Sequence, residues 1–223
     1  DFDYAWFADN RPKRGICLDL KQDTAQDVLH RMLADTDVFI TNFPFPVREK
    51  LKLRYEDLVK YKPDLIYASL TAYGEDGPEA SKTGFDSTAL WARSGLMDMI
   101  KTSPESAPAR SAPGMGDHPT GTALFASIAM ALYKRERTGE GSYVSSSLVA
   151  NGAWWNSFYV QAALGGADIP PRPHRDEWFN ALANHYRCKD DRWFSLALVN
   201  ELRQIDKFIA AIDRPDLLEH PRF

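Results

Sequence analysis

The stretch LIYASLTAYG, residues 65–74, decides the fold. It is an apolar run rich in β-forming residues and it stops at a glycine, the pattern of a buried strand. Working outward, DVFITNF (37–43) and GICLDL (15–20) are further short runs of the same kind. Helical patterns separate them. TAQDVLHRMLADT (24–36) brings Val28, Leu29, Met32 and Leu33 onto one face, and VREKLKL with YEDLVKY forms a second helical connection. This rhythm predicts the α/β class, a Rossmann-like parallel sheet covered by helices. Right-handed crossovers then bring the loops after DVFIT and LIYASL to one carboxyl edge, where such sheets bind ligands.

Downstream, STALWARSGLMDMI (87–100) reads as a helix and KTSPESAPARSAPG as a loop. TALFASIAMALYKRERTG reads as another helix, with Leu124, Ile128, Ala131 and Leu132 at helical spacing. Lys134, Arg135 and Arg137 precede Gly139, a helix C-terminal signature. SYVSSSLVANGAWW predicts a strand running into a helix. Around GGADIPPRPHRDE (165–177) the composition shifts to Pro, Gly and charge, which places a boundary there. The expected domains are 1–168, a large ligand-binding domain, and 169–223, a linker and the beginning of a smaller α+β domain. In the latter, HYRCKDDRWFSLAL predicts a hairpin and RQIDKFIAAI a helix. The start at Asp1 and the close on DLLEHPRF read as a piece of a longer chain.

Of the 223 residues, 44% are apolar and 26% charged, ordinary for a soluble domain with a full core. A net charge of −4 gives no basic footprint, so neither nucleic acid nor an anionic membrane is an expected partner. With no signal peptide and no apolar run of spanning length, the cytoplasm is the expected location. Cys17 and Cys188 sit in hydrophobic stretches and are expected as buried thiols. The scattered histidines show no metal-ligand spacing, so no metal is expected. Neither GxGxxG nor GxxxxGK[ST] occurs, which removes the standard phosphate-cradling motifs.

The remaining candidates each carry a plain structural reading beside a functional one. In GMGDHPTG (114–121), Asp117 is either a helix cap or a reactive carboxylate. GEDGP (74–78) reads as a turn. Asn10–Arg14, including Arg11, is a solvated turn or an anion site. NFPFPV (42–47) is a rigid packed turn or one rim of a ligand mouth. His118 is expected to point away from Asp117. The aromatics of AWWNSFYV (153–160) and DEWF (176–179) suit core or subunit packing as well as a substrate pocket.

Taken together, NRPKRGICLDLK, DVFITNFPFPVREKLKL, IYASLTAYGEDGP, GFDSTALWARSGLM, GDHPTGTALFASIAMAL and RERTGEGSYV occur in an order and spacing that resembles the class III CoA-transferases, the CaiB/BaiF family. These enzymes include formyl-CoA, carnitine and 2-hydroxyacyl CoA-transferases. The resemblance covers roughly the first 145 residues. It implies acyl-CoA as substrate, a free carboxylic acid as acceptor, an interlocked homodimer, and a nucleophilic aspartate falling on Asp117. Gly114 and Gly116 would clear the approach to Asp117 and offer backbone N–H groups to an oxyanion. The family's CoA contacts fall on Leu18, Lys21, Asn42, Phe43 and Leu51, and its phosphate-facing arginine falls on Lys50, a point charge instead of a fork. An active-site tyrosine of the formyl-CoA member aligns with Phe85, and a lysine with Thr83, next to Lys82. Where some members carry a glycine flap, this chain has FNALANHYR, which offers Asn180 and Asn184 instead. The related α-methylacyl-CoA racemases use a histidine that falls on Phe85, a side chain unable to exchange protons. Their supporting glutamate corresponds to Glu201. The resemblance therefore favours transfer over racemisation, with a non-catalytic CoA-binding relative as the other alternative.

Overall fold

The computed structural model describes residues 2–198 and 200–219; the side chains of Glu201 and Leu202 fall outside the described residues. The first compact unit comprises Asp1–Leu96 and Arg110–Gln161. Its elements begin with α1 (Tyr4–Asn10), α2 (Asp23–Ala34), β1 (Val38–Thr41), α3 (Phe45–Lys50), α4 (Tyr55–Leu58) and β2 (Ile66–Thr71). A π-helical segment (Asp86–Ala92), α6 (Asp117–Thr138), β3 (Ser142–Ser147) and α7 (Leu148–Trp155) follow, and the boundaries with the second unit fall within α5 (Leu96–Met99) and α8 (Ser157–Leu164).

The three strands form a parallel sheet in the order β1–β2–β3, with Val38 opposite Ile66 and Ile66 opposite Ser142. The central position of β2 explains its unbroken apolar run, because both of its faces are covered. On one face Tyr67 packs with Leu33, Leu53, Leu58 and Leu65, and Phe39 joins them. On the other, Ala68 meets Leu124 and Ile128 of α6, beside Val38, Leu70 and Val144. Each fully buried leucine here contributes about 1.5–3 kcal/mol relative to exposure. The α6 helix ends as its sequence requires: Gly139 adopts φ 75° and donates its N–H to the Arg135 carbonyl at 2.7 Å.

Three sequence expectations fail. GICLDL forms no strand: Ile16 is 61% exposed, and among the described residues no strand pairs with this segment. Its apolar residues act as coil instead, with Leu20 packed on the core. Cys17 is accordingly exposed, where a buried thiol was expected, and Cys188 is half-buried; both are free. The 87–100 helix is interrupted, because Asn156 Nδ2 donates to the Ser94 carbonyl at 2.7 Å and Gly95 turns to φ 83°.

The second compact unit comprises Met97–Ala109 and Ala162–Phe223. Here β4 (Ala183–Arg187) pairs antiparallel with β5 (Trp193–Ala197), and α9 (Glu201–Ala211) follows. The Asn200 side chain caps α9 by accepting from the Arg203 N–H at 3.3 Å. Hairpin and helix thus form where alternating and helical patterns place them.

Candidate active site

At the carboxyl edge of the sheet, the chain leaves β1 through Asn42, Phe43, Pro44 and Phe45, and leaves β2 through Thr71 and Ala72. Together with residues 82–86, Leu148 and Asp117 these line a cavity of about 310 Å³. Five of the sequence candidates therefore meet in one place: Asn42, Phe43, Lys82, Thr83 and Phe85 share walls with Asp117. Lys82 is held at the edge, with Nζ 2.9 Å from Glu79 Oε1, while Arg93 engages the other Glu79 oxygen at 2.5 Å.

Asp117 is the first residue of α6, and Gly116 occupies the N-cap position without any side-chain cap bond. The capping reading of Asp117 is therefore replaced by another geometry: the carboxylate stands on the first turn, and among the described residues no hydrogen bond occupies it. Although Asp117 stands at a helix N-terminus, where a dipole alone would favour the carboxylate, the net displacement of its pKa is upward. Removal of surrounding water is the largest cause, repulsion from Asp86 the next, and His118 partly offsets both while Asp9 adds to them. His118 does not turn to its neighbour; its Nε2 lies 3.3 Å from Asp9 Oδ1.

The loop that delivers Asp117 is tied down by Asp86, a residue the sequence reading left unassigned within GFD. Asp86 Oδ2 accepts the Gly114 N–H at 3.1 Å and Oδ1 accepts the Ser87 N–H at 2.6 Å. The Gly114 amide is thus engaged with Asp86. Gly114 is required by its backbone conformation and Gly116 by space. Gly114 has φ 76°, and a Cβ at Gly116 would lie 2.6 Å from Asp86 Cβ and 3.0 Å from its Cα.

The other CoA candidates do not line this cavity. Leu18 is half-buried, Lys21 and Lys50 are exposed, Leu51 packs against the core, and Arg11 is exposed. Leu18 and Lys21 on one side, and Lys50 and Leu51 on the other, nevertheless lie in two segments joined by a residue the sequence did not reveal. Gln26, 6% exposed, donates through Nε2 to the Leu20 carbonyl at 2.7 Å and the Leu51 carbonyl at 2.9 Å. A second missed residue is Arg48, buried on α3 and joined to the Phe43 carbonyl, Ser69 and Leu70. Next to it, burial pushes the Tyr67 phenol up to about 12, with Arg48 pulling the other way.

In the second unit, Asn180 accepts the Leu182 N–H at 2.8 Å, and Asn184 donates to the Arg175 carbonyl at 2.9 Å. The first bond is local, the second ties β4 to the segment nine residues before it, and Asn184 lines a cavity of about 800 Å³ within this unit. Among the described residues no group of three or more His, Cys, Asp or Glu side chains is arranged to hold a metal ion. No helix among them is long and apolar enough to cross a membrane.

The profile of CoA-transferase family III matches residues 2–223. The (R)-2-hydroxy-4-methylpentanoate CoA-transferase of Clostridioides difficile is 34% identical over 215 residues, covering 96% of this chain and 53% of the relative. The cinnamoyl-CoA:phenyllactate CoA-transferase of Clostridium sporogenes is 34% identical over 218 residues, covering 96% and 52%. The mouse α-methylacyl-CoA racemase is 37% identical over 163 residues, covering 73% and 42%. A crystal structure of a CaiB/BaiF family protein from Brucella suis superposes with a TM-score of 0.81 at 27% identity, covering 95% of this chain and 55% of that one. The chain spans about half the length of the curated relatives it matches.

Proposed function

The chain belongs to CoA-transferase family III, and from that premise we propose that it moves CoA from an acyl-CoA donor to a free carboxylic acid, with Asp117 as nucleophile. The observation that carries this reading is the unoccupied Asp117 carboxylate opening into the cavity that Asn42, Phe43 and Phe85 also line. A carboxylate with a raised pKa is a more basic nucleophile than an ordinary aspartate.

In this mechanism an Asp117 oxygen attacks the donor thioester carbonyl, and the C–S bond breaks to release CoA thiolate and leave a mixed anhydride. The thiolate attacks the aspartyl carbonyl, expelling the donor acid as its carboxylate and leaving an aspartyl-CoA thioester. The acceptor carboxylate attacks that thioester and expels thiolate. The thiolate then takes the acceptor acyl group and frees the Asp117 carboxylate. Every step exchanges one acyl bond for another, and the thioester energy is conserved. The Gly116 and Gly114 loop clears the approach of the bulky thioester to Asp117. Lys21 and Lys50, with Leu18 and Leu51 beside them, contact CoA away from the reacting carbon, and Phe85, Lys82 and Thr83 bound the acyl side.

The named relatives act on a branched 2-hydroxy acid and on an aryl one, which supports an acceptor of that class here. The same reading includes a cytoplasmic homodimer with domains 1–168 and 169–223. Incubation with acyl-CoA, trapping by hydroxylamine or borohydride, and mass spectrometry test the mechanism: a covalent change confined to the peptide containing Asp117 is expected. An active preparation without one overturns it. A racemase reading is favoured only by the similarity to the mouse enzyme, and Phe85 at the cavity wall offers no second base. Exchange of the substrate α-hydrogen in heavy water without acyl transfer would establish that alternative.

A further inference from the structure

Arg48 is 1% exposed and ranks among the largest fully buried side chains of the molecule. A cation taken out of water is costly unless its surroundings replace the lost hydration, and a hydrophobic residue in its place is often neutral or stabilising. The partners of Arg48 are all uncharged. Nε donates to the Phe43 carbonyl at 2.6 Å, Nη1 to Ser69 Oγ at 2.7 Å, and Nη2 to the Leu70 carbonyl at 3.4 Å. The Phe45 ring lies 4.7 Å from the guanidinium carbon. Among the described residues no carboxylate pairs with it.

These partners come from two separate structures: Phe43 from the segment leaving β1, and Ser69 and Leu70 from the end of β2. Phe43, Phe45 and Leu70 all line the cavity that holds Asp117. A planar guanidinium with its donors in fixed directions sets the spacing of such walls in a way a flexible side chain does not. We propose that Arg48 is a positioning residue for acyl-CoA: it clamps the Asn42–Phe43 segment to the end of β2 and holds that wall in the geometry that receives the CoA thioester. It touches no ligand itself. This inference rests on the proposed transferase function and concerns binding, not the nucleophile. The groups that displace Asp117 are Asp86, His118 and Asp9, and Arg48 is not among them.

The test compares the wild-type chain with Arg48→Lys and Arg48→Met, using the Kd of CoA by calorimetry, KM for acyl-CoA, kcat, the pH–rate profile and thermal melting. Loss of charge-assisted hydrogen bonds predicts that both variants weaken CoA binding and raise KM about tenfold or more. The acidic limb of the profile should stay in place. Lysine should not rescue, because one ammonium cannot serve three acceptors spread around a plane. Addition of methylguanidinium to Arg48→Ala should restore part of the affinity. Folded variants that bind CoA with the wild-type Kd, or that lose kcat at unchanged KM, overturn the clamp. If Arg48→Met fails to fold, Ser69→Ala removes one acceptor without disturbing the cation. It should raise the Kd by roughly threefold, and an unchanged Kd there again overturns the proposal. Wild-type chain that does not bind CoA overturns the transferase reading and the clamp with it, whereas wild-type binding with indifferent variants overturns the clamp alone.

Discussion

The wall after β1 and the wall before α6 close on the same cavity, yet each is held by the opposite charge. Behind Phe43 stands a buried guanidinium whose acceptors are two carbonyls and a hydroxyl. Behind Gly114 stands a carboxylate whose donors are two backbone amides. Both devices pin a loop through its backbone, so both leave the loop's side chains free for a ligand. Their electrical consequences differ. Asp86 lies close enough to Asp117 to raise its pKa, whereas Arg48 has no part in that shift. In the proposed mechanism one wall receives the ligand, and the other both carries and tunes the group that reacts with it.

The sharpest way to break this division is Asp117→Asn. Removing the nucleophile should reduce turnover roughly 10³-fold or more, while CoA binding, measured by calorimetry, stays near the wild-type value. A variant that loses binding in parallel with turnover would show that the two walls do not divide the work. Asp117 has no hydrogen bond to lose, so its melting temperature should not fall.

Gly116→Ala strikes the second wall through space alone. The added Cβ meets the Asp86 backbone and Cβ, and something must shift. A cost of about 1–3 kcal/mol in denaturant unfolding is expected, with turnover reduced about 10²-fold as the nucleophile moves. Outside the cavity, Gln26→Met should leave the Leu20 and Leu51 carbonyls without their donor. That costs about 1–3 kcal/mol and should raise KM for acyl-CoA with little change in kcat. Equal effects of these two variants on kcat would erase the distinction between the proposed CoA-contacting segments and the wall that carries Asp117.

How far the sequence reveals this arrangement follows from the range of each interaction. The β2 run, the helical faces of α2 and α6, and the Gly139 stop are legible because a strand's burial and a helix's periodicity are written in neighbouring residues. GICLDL misleads because a strand needs a partner ladder, and an apolar run cannot announce whether one exists. Asn42, Phe43, Phe85 and Asp117 could be named as candidates from their motifs, and topology does gather them at one sheet edge. Arg48 and Gln26 were not legible. Each sits in a helical segment where Arg or Gln ordinarily faces water, and each finds its acceptors far away, 21 residues along for Arg48 and Ser69, and 25 for Gln26 and Leu51. Asp86 was visible in GFD but its purpose depends on Gly114, 28 residues on.

The smallest expected effect probes the tuning itself. Asp117 is exposed as a residue, yet its carboxyl pKa is raised, first by partial loss of surrounding water and second by Asp86. Activity that depends on the free carboxylate should therefore fall on acidification at a higher pH than an ordinary aspartate would dictate. Asp86→Asn keeps an acceptor for the Gly114 amide but removes the charge, so the acidic limb of kcat/KM should move to lower pH. Burial remains, and the limb should not return fully to the ordinary aspartate range. Stability follows the same linkage. A carboxyl group whose folded pKa lies above its unfolded one contributes its stability below the unfolded value and loses it as pH rises through the folded value. Asp117→Asn should therefore melt slightly higher than wild type at neutral pH, and the difference should vanish in acid, where both side chains are uncharged. An acidic limb that stays in place in Asp86→Asn would mean that burial alone sets the nucleophile, and that the second wall, like the first, acts only by holding its loop.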